Sequence, residues 1–182
     1  MERGATADLI LDAAEKRVRR SGYNAVSFRD LAEDVSVKSA SVHYHFEIKE
    51  DLGVALIKRY SDRFMSALEL KTGLSPVQSV EAFCALYRQS LMQSDAICLC
   101  GMLGAEISGL PEPVAAAVRE FFHANIAWLE KALSGRDGNV SAYEEAAAIV
   151  ATLQGVMMLS IALRNTQIFD TSVVRLLMSY HR

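Results

Sequence analysis

Apolar residues along this chain recur at steps of three and four, the period of an amphipathic helix, and no alternating run bounded by turn residues is long enough to read as a strand. Thr6 to Ser21 is rich in Ala, Leu, Glu, Lys and Arg, all good helix formers, and Gly22 supplies the left-handed residue that often ends a helix. Ser27 is placed as an N-cap ahead of Phe28, Leu31, Ala32 and Val35, whose spacing makes one clean apolar face. After a break at Ser36-Val37, the pattern predicts a short helix from about Lys38 to Tyr44 and a longer one from Lys49 to about Leu70.

Ser75 and Pro76 open the next helix, Pro being tolerated at a first helical position, and Val77, Val80, Cys84, Tyr87 and Leu91 form its buried stripe. Leu99 to Ser108 reads as a short helix ended by Gly109. Leu110-Pro111-Glu112-Pro113 starts another, with Val118, Phe122, Ile126, Leu129 and Leu133 on one side. The Gly- and Asp-containing run Ser134 to Asn139 reads as a flexible linker. Helices from Ala142 to Leu163 and from Thr171 to Tyr180 complete an all-α chain of about nine helices, with no repeat of fixed period.

Composition narrows the class. Of 182 residues, 51% are hydrophobic and 23% charged, too apolar a chain to stay disordered and long enough to bury a core. The stretch Ala146 to Leu163 carries no charge and approaches a membrane span in length. Thr152, Gln154, Gly155 and Ser160 within it, and Glu144 and Glu145 before it, favour a buried helix of a soluble protein over a span. The three cysteines, Cys84, Cys98 and Cys100, are an odd count, and Met1-Glu2-Arg3-Gly4 opens no apolar signal region. Together they point to a reducing, cytoplasmic compartment without structural disulfides.

The run Ser27 to Phe46, SFRDLAEDVSVKSASVHYHF, carries the clearest candidate chemistry. It reads as a capped amphipathic helix, a tight turn and a short second helix whose outer side is small and polar. That arrangement suits a helix-turn-helix, whose second helix must enter a major groove about 12 Å wide. Ser39, Ala40 and Ser41 permit close approach, Lys38 offers charge to a phosphate, and His43, Tyr44 and His45 reach further. Packing and capping are the competing roles for His43, Tyr44 and His45. A metal site on His43 and His45 is disfavoured because two residues apart on a helix they do not share a face.

The segment SVKSASVHYHF followed by Glu47-Ile48-Lys49-Glu50-Asp51-Leu52, with Ile10-Leu11-Asp12-Ala13-Ala14 and Ser21-Gly22-Tyr23-Asn24 upstream, resembles the tetracycline-repressor (TetR) family. The likeness is specific over residues 6 to 56. It implies a dimeric DNA-binding regulator, with residues 1–48 as a three-helix helix-turn-helix domain and 49–182 as a helical ligand-binding and dimerisation domain. By position, it implies DNA contacts from Ser27 and Arg29, from Lys38, Ser39, Ala40, Ser41, His43, Tyr44 and His45, and from Lys49. Two residues depart from the family pattern: Ser36 stands where a turn Gly is usual, and Arg17 where the first helix is usually apolar.

Beyond residue 56 the resemblance implies an effector site and a dimer seam. Small and apolar residues suit the seam: Ala151, Gly155 and Met158 on one helix, and Val174, Leu177 and Met178 on the last. A monomer core built around the first of these helices is the plainer alternative. An apolar or aromatic effector is placed near Tyr87, Met102, Phe122 and Met157, where aromatic and sulfur side chains concentrate. Cys98 and Cys100, two residues apart at a helix start, are read first as small buried hydrophobes. Sensing of an electrophile or oxidant is the sharper alternative.

No Gly-rich phosphate loop, nucleophile elbow or His-Glu metal motif is present, so no catalytic residue, metal or cofactor is expected. The expected partners are operator DNA, a second copy of the chain and a small-molecule effector, with no membrane. The competing function is a helical carrier or interaction protein that binds no DNA. Charge sharpens the picture without reversing it. The net charge is −3, yet residues 1–60 hold ten Lys or Arg against ten Asp or Glu, so the acidic excess lies wholly in residues 61–182. Affinity for DNA then depends on where a few cations point, not on a basic coat.

Overall fold

The computed structural model describes residues 3–71, 73–94, 96–134 and 140–180, and among these every regular element is a helix. In chain order they are α1 (Arg3–Ser21), α2 (Phe28–Asp34), α3 (Ser39–His45), α4 (Lys49–Glu69), α5 (Pro76–Ser94), α6 (Leu99–Ala105), α7 (Glu112–Leu133), α8 (Ala142–Ala162) and α9 (Gln167–Met178), with a single 3-10 turn at Ile107–Gly109. The all-α expectation and the nine helices hold among the described residues. Of the linker read at Ser134–Asn139, residues 135–139 lie outside them. Two compact units emerge, one from residues 1–61 and 99–120, the other from 62–98 and 121–182.

In the first unit α1 packs on α2, α3 and α6. Its buried stripe, Ile10, Ala14 and Val18, meets Leu31 and Val42, both with no exposed surface. The N-terminal half of α4 joins through Arg59, whose guanidinium lies 2.8 Å from Asp12 and 3.6 Å from Asp8 on α1. That is a charge-assisted tie between helices distant in sequence.

The second unit is built on α5, α8 and α9 with the later parts of α4 and α7. An aromatic cluster occupies its centre. Phe64 makes edge-to-face contacts with Phe83, Tyr87 and Phe121 at centroid separations of 5.8, 5.4 and 5.6 Å, and Trp128 stacks on Phe83 at 6.0 Å. These are the geometries that ring quadrupoles favour. Arg88 on α5 and Asp170 on α9 form a forked ion pair at 2.7 and 3.2 Å.

Three predicted elements change in detail. Helix α9 starts at Gln167 instead of Thr171, because the chain turns at Arg164, which adopts a positive φ of 50°. The helix read as Leu99–Ser108 ends at Ala105 and passes into the 3-10 turn. On α7 the apolar period singled out Phe122 and Ile126, but these are half-buried. The fully buried stripe is Val114, Val118, Phe121, Asn125 and Leu129. A polar residue in the stripe hid the true face. Asn125 has no exposed surface, its Nδ2 donates to the Phe121 carbonyl at 2.7 Å, and among the described residues its Oδ1 has no hydrogen-bond partner. Leaving such an acceptor unmet costs about 1–3 kcal/mol.

Candidate functional site

The site begins with a cap. Ser27 Oγ accepts from the Asp30 N–H at 3.2 Å while the Asp30 carboxylate accepts from the Ser27 N–H at 3.2 Å. This reciprocal capping box satisfies the first turn of α2. The same carboxylate takes the Ser27 hydroxyl at 2.6 Å, and that bond holds Asp30 below the usual carboxylate range. A fixed α2 start fixes where Leu31 and Ala32 enter the core, and hence the angle at which α2 receives α3.

Between the helices Ser36 adopts φ 55°, a left-handed conformation that glycine takes freely and other residues take at a cost of about 1–2 kcal/mol. The departure from a turn glycine noted in the sequence therefore leaves the turn in its left-handed form. Arg17 lies half-buried and reaches Asp34 at 2.5 and 2.8 Å. This two-pronged bond raises the arginine's pKa and lowers the aspartate's. It ties α1 to the end of α2 next to the strained turn.

Helix α3 is anchored by Val42, with Phe46 buried just beyond it. Ser39, Ala40, His43 and Tyr44 lie on its exposed side, Tyr44 at 62% exposure, while Ser41 and His45 are half-buried. Lys38 stands at the N-cap, exposed and making no side-chain cap. The His43 ring meets Phe28 edge-on at 4.7 Å, with Nδ1 at 3.4 Å from the Glu47 carbonyl oxygen. His45 stands edge-on to Tyr44 at 5.3 Å. Ser27 is exposed. So is Arg29, whose Nε is 3.2 Å from Glu33 one turn on. Among the described residues no cluster of three His, Cys, Asp or Glu side chains could hold a metal ion.

Lys49 points elsewhere. Its ammonium sits 4.6 Å above the Tyr23 ring and 3.4 Å from the Asn24 carbonyl oxygen, and partial burial lowers its pKa against the opposing pull of Glu106. Tyr23 is buried, donates its hydroxyl to the Lys49 carbonyl at 3.0 Å, and is pushed up to about 12 by burial and by the charge on Glu50. The turn after α1 is thus bound to the start of α4.

Glu106 completes this joint. Its Oε2 accepts from the Tyr23 N–H at 2.8 Å. Gly22, at φ 82°, lies so close that an added Cβ would fall 1.9 Å from Glu106 Oε1. Gly53 on α4 is similarly confined, its virtual Cβ meeting Tyr23 and Val114 at 2.9 Å. Eighty-three positions separate Tyr23 from Glu106, and no local pattern announces so distant a partner.

The candidate effector residues fall in both units. Tyr87 and Met157 are buried and Phe122 half-buried in the second, where Tyr87 receives a hydrogen bond from Gln154 Nε2 at 3.2 Å. Met102 is half-buried in the first. Cys98 and Cys100 are both buried, as is Cys84, whose thiol burial pushes up to about 12. On α8, one face buries Ala146, Ile149, Val150, Leu153, Met157 and Ser160 within the unit. The opposite face leaves Ala151, Gly155 and Met158 open, Met158 at 50% exposure. On α9, Val174 and Met178 are 60% and 59% exposed, and Leu177 is half-buried.

Comparison with known proteins gives matches in both parts of the chain. Residues 10–56 match the profile of the bacterial regulatory proteins of the tetR family, and residues 76–173 match that of the LmrA/YxaF-like transcriptional regulator C-terminal domain. A TetR transcriptional regulator from Legionella pneumophila superposes with a TM-score of 0.86 at 30% identity, over 93% of this chain and 94% of that one. A TetR-family regulator from Agrobacterium tumefaciens gives 0.88 at 28% identity, over 98% of both chains. The transcriptional regulator AcuR of Cereibacter sphaeroides is 26% identical over 60% of this chain, a match that spans about half of AcuR's length (52%).

Proposed function

This chain belongs to the TetR family of bacterial transcriptional regulators, and from that premise we propose that it is a repressor. It binds a palindromic operator as a homodimer in the cytoplasm and leaves it when a small-molecule effector binds. Members of this family are regulators and not enzymes, and no catalytic role is assigned to any residue. Residues 1–48 serve as the reading head and 49–182 as the effector and dimer domain.

The observation that carries this reading is the exposed side of α3. Ser39, Ala40, His43 and Tyr44 stand clear of the core on a helix anchored by Val42, a face thin enough to enter a major groove. Ser41 and His45 border it. Ser27 and Arg29 at the start of α2, Lys38 ahead of α3 and Lys49 at the start of α4 surround it as phosphate contacts. Such contacts position a reading helix without specifying sequence. Arg29 exchanges Glu33 for a phosphate at little cost, since the pair is largely exposed. Lys49 serves only if its ammonium leaves the Tyr23 ring.

The open faces of α8 and α9 support the dimer. Ala151, Gly155, Met158, Val174, Leu177 and Met178 make the seam, a self-complementary patch of the kind a two-fold axis requires. The effector occupies the region of Tyr87, Phe122 and Met157 in the second unit, while Met102 belongs to the first, and Cys98 and Cys100 are packing residues. A gel shift on the DNA upstream of the chain's own gene, repeated over a range of salt, tests the reading. Binding that weakens steeply with salt is expected; no binding at any salt overturns it in favour of a DNA-independent carrier.

A further inference from the structure

Asn125 is the one side chain in the α7 stripe that the fold does not explain. Phe121, Asn125 and Trp128 follow one another at i, i+4 and i+7 and share one helical face. The two aromatics mark where that face looks, Phe121 against Phe64 of α4 and Trp128 against Phe83 of α5. Between them the Asn125 amide has no exposed surface. Its orientation is fixed, because Nδ2 donates to the Phe121 carbonyl at 2.7 Å and a flipped amide would set oxygen against oxygen. Among the described residues Oδ1 is left as a buried acceptor without a donor, on the helix face that carries Phe121 and Trp128.

Natural cores rarely retain such a group without a use. Leucine would fill the stripe with none of the desolvation, and a serine or threonine could bond its own helix completely. An acceptor at the wall of an aromatic cluster is what a ligand with one donor and a flat apolar body needs. The ring contacts Phe64–Phe83, Phe64–Tyr87 and Phe83–Tyr87 supply the body's surroundings. Asn125, Phe83 and Tyr87 are buried, and the neutral amide offers no counter-charge to repay the desolvation of a cation, so a neutral donor suits the site.

We propose that Asn125 Oδ1 is the polar anchor of the effector site, and that the effector is an uncharged aromatic molecule bearing an O–H or N–H donor, of the phenol or indole class. The proposal rests on the reading of the second unit as effector-binding and adds to it the recognition group and the ligand chemistry. Trp128 is the chain's single tryptophan and, stacked on Phe83, it reports on the cluster directly.

Phenol and toluene provide the test, being nearly equal in shape and differing in the donor. In a purely apolar core toluene binds better, because phenol must shed its water without replacement. With Oδ1 waiting, the order reverses. Titrating the full chain with each and following Trp128 emission, excited where phenol does not absorb, is expected to show phenol binding about tenfold tighter. Asn125→Leu is expected to abolish that preference, and Asn125→Ala gives the same comparison if the leucine variant does not fold. Equal affinity, a preference for toluene, no response to phenol, or a phenol preference that survives loss of the amide overturns the proposal. A parallel gel shift separates the two levels. DNA binding by a protein that shows no phenol preference rejects the anchor alone. A phenol preference in a protein that binds no DNA upholds the anchor and rejects the repressor.

Discussion

The Glu106 carboxylate accepts the backbone N–H of Tyr23 at 2.8 Å and simultaneously fills the space where a side chain at Gly22 would stand. One acid from the α6 end thereby holds the turn that leads from α1 into the reading helices. The glycine is needed twice, for its positive φ and for its missing Cβ.

Gly22→Ala is therefore expected to destabilise the chain by ~2 kcal/mol or more. About 1–2 kcal/mol comes from the left-handed backbone, and the remainder from displacing a charge-assisted hydrogen bond. Urea unfolding measures it. In a Glu106→Ala background the steric part disappears, so the same substitution should cost only its backbone share. Equal costs in the two backgrounds would show that Glu106 does not press on this glycine.

Tyr23 gives the same joint a pH signature. Its folded pKa is raised, from 10 to about 12, so its contribution is fully present below pH 10 and is lost as pH rises toward 12. A rise from 10 to about 12 limits the loss to about 2–3 kcal/mol. Tyr23→Phe lacks the hydroxyl bonded to the Lys49 carbonyl, and is expected to start less stable by about 1 kcal/mol but to fall less steeply between pH 10 and 12. Parallel alkaline slopes for the two proteins would remove Tyr23 from the account.

These joints also show where sequence reading stops. The capping residue Ser27, the apolar face of α2, the break at Ser36 and the anchor Val42 were all legible, because each is governed by neighbours within a turn or two. Gly22 was legible as a helix stop but not as the floor of a carboxylate site, since its partner is 84 residues away. On α7 the apolar period failed by one position. Counting hydrophobic residues chose Phe122 and Ile126, while packing chose Phe121 and Asn125. Arg17 looked like an apolar position filled by a long cation, and its bond to Asp34 shows a cross-helix tie that spacing alone does not reveal.

The neutral charge of residues 1–60 makes each phosphate contact visible in the salt dependence. Lys38 is exposed at the N-cap of α3 and forms one such contact per subunit in the proposed dimer. Lys38→Ala is expected to lower the slope of log affinity against log salt by about two, at roughly 0.9 for each phosphate released. Sequence preference should stay unchanged, because the contact carries no base information. A slope equal to the parent's in a filter-binding series would exclude Lys38 from the phosphate set.

Cys98 and Cys100 are buried at the start of α6. As packing residues they should react with iodoacetamide in the native chain far more slowly than in the urea-unfolded chain, at a rate set by local opening. Mass spectrometry of timed samples follows this. Rapid native labelling accompanied by loss of operator binding would instead establish thiol sensing.

The seam on α8 and α9 can be broken without touching a core. Val174 and Met178 lie one turn apart on α9, each more than half exposed, so charges placed there meet water in an isolated subunit and meet each other across a two-fold axis. Val174→Glu with Met178→Glu is expected to convert the dimer to monomer in sedimentation velocity while the helical circular dichroism remains. Operator affinity should fall together with dimerisation, because each subunit then reads its half-site alone. Gly155→Leu supplies an independent check on α8. Among the described residues nothing lies within 4 Å of a Cβ at Gly155, so a side chain there starts into open space and meets what a second copy brings against it. A variant pair that remains dimeric and binds DNA as the parent does would move the subunit interface away from these two helices.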